Sequence, residues 1–149
     1  MSTEDIVVAF AAEAHRQLWT AGSDVSTQTK KSQRVCDVWQ DAVMTEFGSR
    51  FAAELPIYEK GSAQKIDLVD QKSRVAYELK SSPNNVHMEI YRDVFKALVF
   101  NEHHPERPLK KLVFIAPEEG IRTLGPSFPK DVAAIAARLG LSLKLRAIP

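Results

Sequence analysis

The chain has 149 residues, a formal net charge of +1, 44% hydrophobic and 26% charged residues. That composition fits one soluble domain with a full core and excludes a globally basic nucleic-acid binder, so any DNA-facing surface must come from local clusters of Lys and Arg. The single Cys36 excludes an internal disulfide and suits a reducing cytoplasm; no apolar run approaches the ~20 residues of a membrane span, and acids rather than a basic region precede the apolar stretch 6–14, so no signal peptide is expected.

Ser2, Glu4 and Asp5 form a helix-start signal. A helix over 4–21 follows, with Ile6, Val7, Phe10, Ala14 and Leu18 as its apolar stripe, ended by Ala21-Gly22-Ser23. Residues 23–33 are polar and read as a loop or a frayed helix start. Lys30, Lys31 and Arg34 there are either a solvated basic surface or a patch for phosphate contacts. Val35, Trp39, Val43, Phe47 and Phe51 recur every four residues and predict a second helix over 31–53. Glu46 stands at the edge of that stripe, close to Gly48. A first strand opens at Leu55-Pro56-Ile57-Tyr58, since Pro56 is tolerated only at a strand start or edge, and Glu59-Lys60-Gly61-Ser62 makes a turn.

Residues 65–80, KIDLVDQKSRVAYELK, read as a hairpin. In its second strand Val75, Tyr77 and Leu79 face one way, and Ala76, Glu78 and Lys80 the other. Asp67 joins the Glu78 face only if it pairs opposite Glu78 or Ala76, which requires an even-membered turn around 71–74 or a bulge. An Asp followed by Glu-x-Lys on the next strand is what a hydrolytic Mg²⁺ site needs. Two carboxylates supply hard oxygen ligands, the cation polarises a phosphoryl oxygen and acidifies a bound water, and the ammonium positions that water or offsets charge on the phosphate. The alternative is an exposed hairpin face with a weak surface ion pair.

Ser81-Ser82-Pro83-Asn84-Asn85 breaks the strand and caps a helix over 86–102, with Val86, Ile90, Val94 and Leu98 on one row and Tyr91, Phe95 and Val99 beside it. Glu89, Arg92, Asp93 and Lys96 form its polar side, an ordinary charge face unless Arg92 and Lys96 touch phosphate. His103 and His104 lie in a proline-stiffened loop; adjacent imidazoles without a third spaced ligand make a polar turn, not a metal site. Residues 110–116 form a buried central strand reached by a parallel crossover, 117–120 a loop, 121–129 an irregular stretch, 130–139 a helix, and 141–148 an edge strand with Lys144 and Arg146 outward. The expected fold is α/β (α+β), a mixed central sheet flanked by helices, in the order α-α-β-β-β-α-β-α-β. No internal repeat, phosphate loop, dinucleotide fingerprint, serine-hydrolase elbow or zinc spacing is present in the sequence.

Ile66-Asp67 and Glu78-Leu79-Lys80 resemble the PD-(D/E)xK nuclease superfamily, the restriction-endonuclease-like enzymes; the family's usual Pro before the Asp is Ile66 here. The resemblance implies a restriction-endonuclease-like core and a Mg²⁺-dependent endonuclease acting on DNA, with Mn²⁺ as a substitute ion. Asp67, Glu78 and the Leu79 carbonyl would hold the metal, and Lys80 would assist the attacking water. It also implies a further acid from the N-terminal helix, for which Glu46 is the candidate with Asp41 and Glu54 behind it, unless Glu46 is a solvated boundary residue. Lys30, Lys31, Arg34, Arg92 and Lys96 are the candidate nucleic-acid contacts. So small a core implies a homodimer or a partner subunit for specificity and for cutting both strands. RNA or branched DNA remain open as substrates, as does a catalytically inactive nuclease-like fold that binds or scaffolds.

Overall fold

The computed structural model describes residues 1–21, 27–60 and 63–149. Helix α1, Thr3–His15, starts with a reciprocal cap: the Ser2 hydroxyl accepts the Asp5 amide at 3.1 Å, and the Asp5 carboxylate accepts the Ser2 amide at 3.3 Å. It continues into a wider π-helical turn, Arg16–Thr20. The expected helix end at Gly22-Ser23, and the loop up to residue 26, lie outside the described residues. Helix α2, Gln28–Phe47, is capped by Thr27, whose hydroxyl accepts the Lys30 amide.

The second helix ends earlier than residue 53. Gly48 has φ +59° and ψ −139°, a conformation open essentially to glycine alone, and it turns the chain out of the helix. A short 3₁₀ turn, Gly48–Arg50, leads into strand β1, Phe51–Pro56, which replaces the strand expected at 55–58. Phe51 keeps its place in the core but reaches it from the sheet, packed against Phe47 and Tyr77 at ring distances of 5.0 and 6.0 Å. Of the turn expected at 59–62, Gly61 and Ser62 lie outside the described residues.

Strands β2, Lys65–Asp70, and β3, Val75–Leu79, form the hairpin. Helix α3, Val86–His103, crosses over to strand β4, Lys111–Pro117. Two helices follow, α4, Glu118–Arg122, and α5, Ser127–Arg138, before strand β5, Ser142–Ile148. Stretches expected as a loop and an irregular segment are thus largely helical. The first of these helices is drawn against the start of α3 at Gly120, where a Cβ would come within 2.8 Å of the Pro83 carbonyl and 2.6 Å of Val86 Cγ2. Asn85 precedes α3 in the left-handed region without a side-chain capping bond, so residues 81–85 break the strand as expected but do not cap the helix through Asn85.

The five strands form one mixed sheet in the order β1-β2-β3-β4-β5. The first three are antiparallel; β3, β4 and β5 run parallel. One face is covered by α1 and α2, where Val7, Val35, Trp39 and Val43 meet Leu68, Tyr77, Val113 and Ile115. The Trp39 indole donates to the Val7 carbonyl at 3.0 Å, locking the two helices together. The other face packs Ile90, Val94, Ala97, Val132 and Ala136 on Ala76, Leu112 and Phe114. Each Val, Leu, Ile or Phe side chain among them contributes about 1.5–3 kcal/mol on leaving water, and each Ala less. The architecture is an α+β fold with a mixed sheet between helical layers.

Candidate functional site

The hairpin turn spans residues 71–74, and the β2–β3 ladder pairs Asp70 with Val75, Val69 with Ala76 and Leu68 with Tyr77. Continued one step, this register sets Asp67 opposite Glu78, so the two acids share a face. At that step the strands part. The Asp67 carboxylate accepts the Leu79 amide at 3.0 Å, a role a strand carbonyl fills elsewhere in the ladder. The Asp67 carbonyl in turn accepts the Gln40 side-chain amide of α2 at 2.8 Å. The separation opens a polar cleft of about 690 Å³ at the carboxyl end of β3, walled by Cys36 and Ser32 of α2 and by Asp93 and Lys96 of α3.

Asp67, Glu78, Leu79 and Lys80 all line this cleft. The Lys80 amide is pinned to the Ile115 carbonyl at 2.8 Å, and among the described residues its ammonium forms no ion pair. One residue on, the Ser81 carbonyl accepts the Nε2–H of buried His15 at 2.9 Å, which anchors the corner to α1. Burial holds the His15 imidazole below its usual range, so it stays neutral.

Glu78 is 4% exposed, and the Lys96 ammonium lies 2.6 Å from its Oε1 and 3.3 Å from Asp93 Oδ1. Neither oxygen has a hydrogen-bond donor of regular geometry among the described residues, and the Lys96 ammonium holds both by charge. Burial, reinforced by the Asp67 and Asp93 charges, raises Glu78 well above the ordinary carboxylate range despite Lys96. Burial likewise pushes Asp93 up to about 6, against the pull of Lys96 and Arg92. Lys96 stays charged: burial lowers its pKa, but Glu78 and Asp93 raise it further. The Cys36 thiol is pushed far up by burial and by Asp67, Glu54 and Glu78, so it stays protonated in the metal-free cleft.

The reading of α3 is corrected here. Asp93 and Lys96, expected on an exposed charge face, are 4% and 8% exposed and point at the sheet. Tyr91 and Phe95, expected beside the apolar row, are 53% and 69% exposed. A buried carboxylate on the sheet, Glu78, demands a charged partner from whichever helix covers it, and that demand sets the inward face of the helix. Lys96 is thereby committed to two acids, whereas Arg92 stays exposed, paired with Glu89 and 3.7 Å from Asp93.

Glu46 and Asp41 are exposed and do not line the cleft, which α2 meets through Thr29, Ser32, Gln33 and Cys36. Glu54 is exposed at φ +53° and accepts the Gln40 amide at 3.3 Å. The helix acid sought in α2 is therefore absent from the cleft wall; the acid that a helix brings to it is Asp93 of α3. Lys30, Lys31 and Arg34 stand on the first turns of α2, beside the cleft-lining residues, with Lys31 resting 5.5 Å from the Trp19 ring centroid. His103 packs on Tyr58, and His104 stacks on Phe100.

Hard carboxylate oxygens, two of them buried without aligned donors, suit a small divalent cation. Asp67 and Glu78 are the acids on the sheet side of the cleft that would hold such an ion. Among the described residues no group of three or more His, Cys, Asp or Glu converges closely enough to hold an ion unaided. No helix among them is long and apolar enough to cross a membrane.

No protein-family model and no curated protein matches the sequence. Among solved structures the chain is similar to P. aeruginosa ATCC27853 NucC in its cAAA-bound form, with a TM-score of 0.55 and 15% identity over 95% of this chain and 74% of that one. At that identity the likeness carries the fold alone, an α+β core with a mixed sheet between helices.

Proposed function

We propose that the protein is a metal-dependent endonuclease that hydrolyses DNA phosphodiester bonds. One observation carries the reading: Asp67, Glu78 and Lys80 line one polar cleft, and the Lys80 ammonium is unpaired among the described residues. Asp67, Glu78 and the Leu79 carbonyl hold Mg²⁺, or Mn²⁺ in its place. The bound ion supplies Lewis-acid polarisation of the phosphate and an acidified water. Asp67 is kept in place by the Leu79 amide at one end and by Gln40 on its carbonyl at the other, so its carboxylate enters the site already oriented. Lys80 holds the attacking water and offsets charge on the scissile phosphate. Lys30, Lys31, Arg34 and Arg92 supply backbone phosphate contacts, and a homodimer places a second cleft for the second strand.

Nicking of supercoiled plasmid in Mg²⁺ tests this. Asp67→Ala, Glu78→Gln and Lys80→Ala are each expected to cut the rate by ~10²-fold or more, with unchanged thermal melting for Lys80→Ala and a lower melting temperature for Asp67→Ala, which loses the acceptor of the Leu79 amide. Cleavage untouched by all three substitutions overturns the proposal. A binding-only role is favoured by the Lys96 ammonium against Glu78, which neutralises a ligand from within. That role predicts gel-shift binding of DNA without any Mg²⁺-dependent product.

A further inference from the structure

Four carboxylates line the cleft: Glu89, which is paired with exposed Arg92, and Asp67, Glu78 and Asp93, which stand around one buried ammonium, Lys96. Lys96 sits between Glu78 and Asp93, 2.6 and 3.3 Å from their oxygens, and is 8% exposed. Those two oxygens, Glu78 Oε1 and Asp93 Oδ1, are the ones left without an aligned hydrogen bond. An ordinary structural ion pair saturates its acceptors, because an unsatisfied buried carboxylate oxygen is costly. Here the ammonium places positive charge between the two acids, where a cation held by both would place it. The four-carbon stem is flexible and the head is a compact point charge, so it can withdraw into the cleft without unfolding the helix.

We propose that the Lys96 ammonium is an internal stand-in for a divalent cation at a position between Glu78 and Asp93, so that Lys96 competes with metal for this site and Asp93 is a metal ligand once it is displaced. This rests on the reading of Asp67 and Glu78 as a cation site and adds to it a second ligand pair sharing Glu78. Metal affinity is then set by a competitor carried on α3. In the absence of metal the fold keeps its acids neutralised from within.

The test is Mn²⁺ binding to the full chain by titration calorimetry, with thermal melting of the metal-free and Mn²⁺-loaded forms. Lys96→Met removes the charge and keeps the length of the stem. Its expected Mn²⁺ affinity is at least tenfold tighter than that of the parent, and its melting temperature rises more on adding Mn²⁺. Adding Asp93→Asn in the same chain returns the affinity to the parent value or below. If metal-free Lys96→Met does not melt cooperatively, recovery of a cooperative melt in Mn²⁺ supports the proposal, and failure to recover it overturns it. Unchanged or weaker affinity in Lys96→Met also overturns it.

Asp67→Asn separates this inference from the reading beneath it. If the parent binds Mn²⁺ and Asp67→Asn loses it while Lys96→Met binds like the parent, the cation site stands and the Lys96 inference falls. If neither the parent nor Lys96→Met binds Mn²⁺, both fall.

Discussion

Asp70 is 1% exposed, yet every direction around it is answered. The Arg50 guanidinium grips both carboxylate oxygens at 2.9 and 2.6 Å, the Ser73 hydroxyl donates at 2.6 Å, and the Lys72 and Ser73 amides donate at 3.0 and 3.3 Å. Burial raises the Asp70 carboxyl, but these donors outweigh it and hold it below its usual range. The same residue shapes the turn that sets the β2–β3 register, so it determines which way Asp67 faces. Arg50→Ala strands a buried carboxylate, but Ser73 and the two amides remain. The expected loss is about 2–3 kcal/mol, at or below the low end of the ~3–5 kcal/mol for breaking a fully buried pair, read as a lower urea midpoint with unchanged m. Glu78 is the contrast. Among the described residues Oε1 of Glu78 has one close ammonium, where the Asp70 carboxylate receives five directed hydrogen bonds.

Among elements, the junction of α2 and β1 shows a local rule overriding a periodic one. The four-residue recurrence of apolar residues runs on to Phe51, but Gly48 adopts φ +59° and the chain leaves the helix there. A Cβ at this position would meet nothing within 4 Å, so Gly48→Ala tests conformation alone. The expected cost is about 1–3 kcal/mol in denaturant unfolding, from forcing a Cβ into a glycine region. A neutral result would show that the turn relaxes and does not define the start of β1. Helix α3 shows the converse. Its apolar row of Val86, Ile90 and Val94 is buried as the period requires, but the flank turned inward beside it carries Asp93 and Lys96 opposite Glu78, not Tyr91 and Phe95.

At the scale of the whole molecule, Glu4 ties the first helix to the last strands. It contacts Lys111 of β4 at 2.6 Å, and Lys144 and Arg146 of β5 at 2.7 and 2.5 Å. Burial raises its carboxyl, but bonds from the three cations win and hold it down to about 2. A depressed carboxylate stabilises the fold fully above its unfolded value near 4.5 and loses that contribution as pH falls toward about 2. Asp93 carries the opposite sign. Held at about 6, it gains a proton in the folded state first, so stability rises as pH falls through that value. The urea midpoint of the metal-free protein is therefore expected to peak on the acid side of neutrality and to drop below about pH 4.5, with a shallower acid limb in Glu4→Gln. An acid limb identical in Glu4→Gln removes this clasp from the account.

The sequence by itself determined the hairpin, its alternation, the parallel crossover into a central strand, and the two acids and lysine brought to one face by a four-residue turn. These follow from short-range rules: strand period, turn length and apolar patterning act within a dozen residues. Tertiary packing alone set which flank of α3 turns inward beside its apolar row, the burial of Asp93 and Lys96, the placement of Glu46 away from the cleft, and the roles of Gln40 and His15. The reason is physical. A charged residue on a helix looks the same in sequence whether it meets water or an opposing charge, and the field that decides comes from residues far away along the chain. Glu78 and Lys96 are 18 positions apart, and no local pattern requires them to meet; the low dielectric between sheet and helix does.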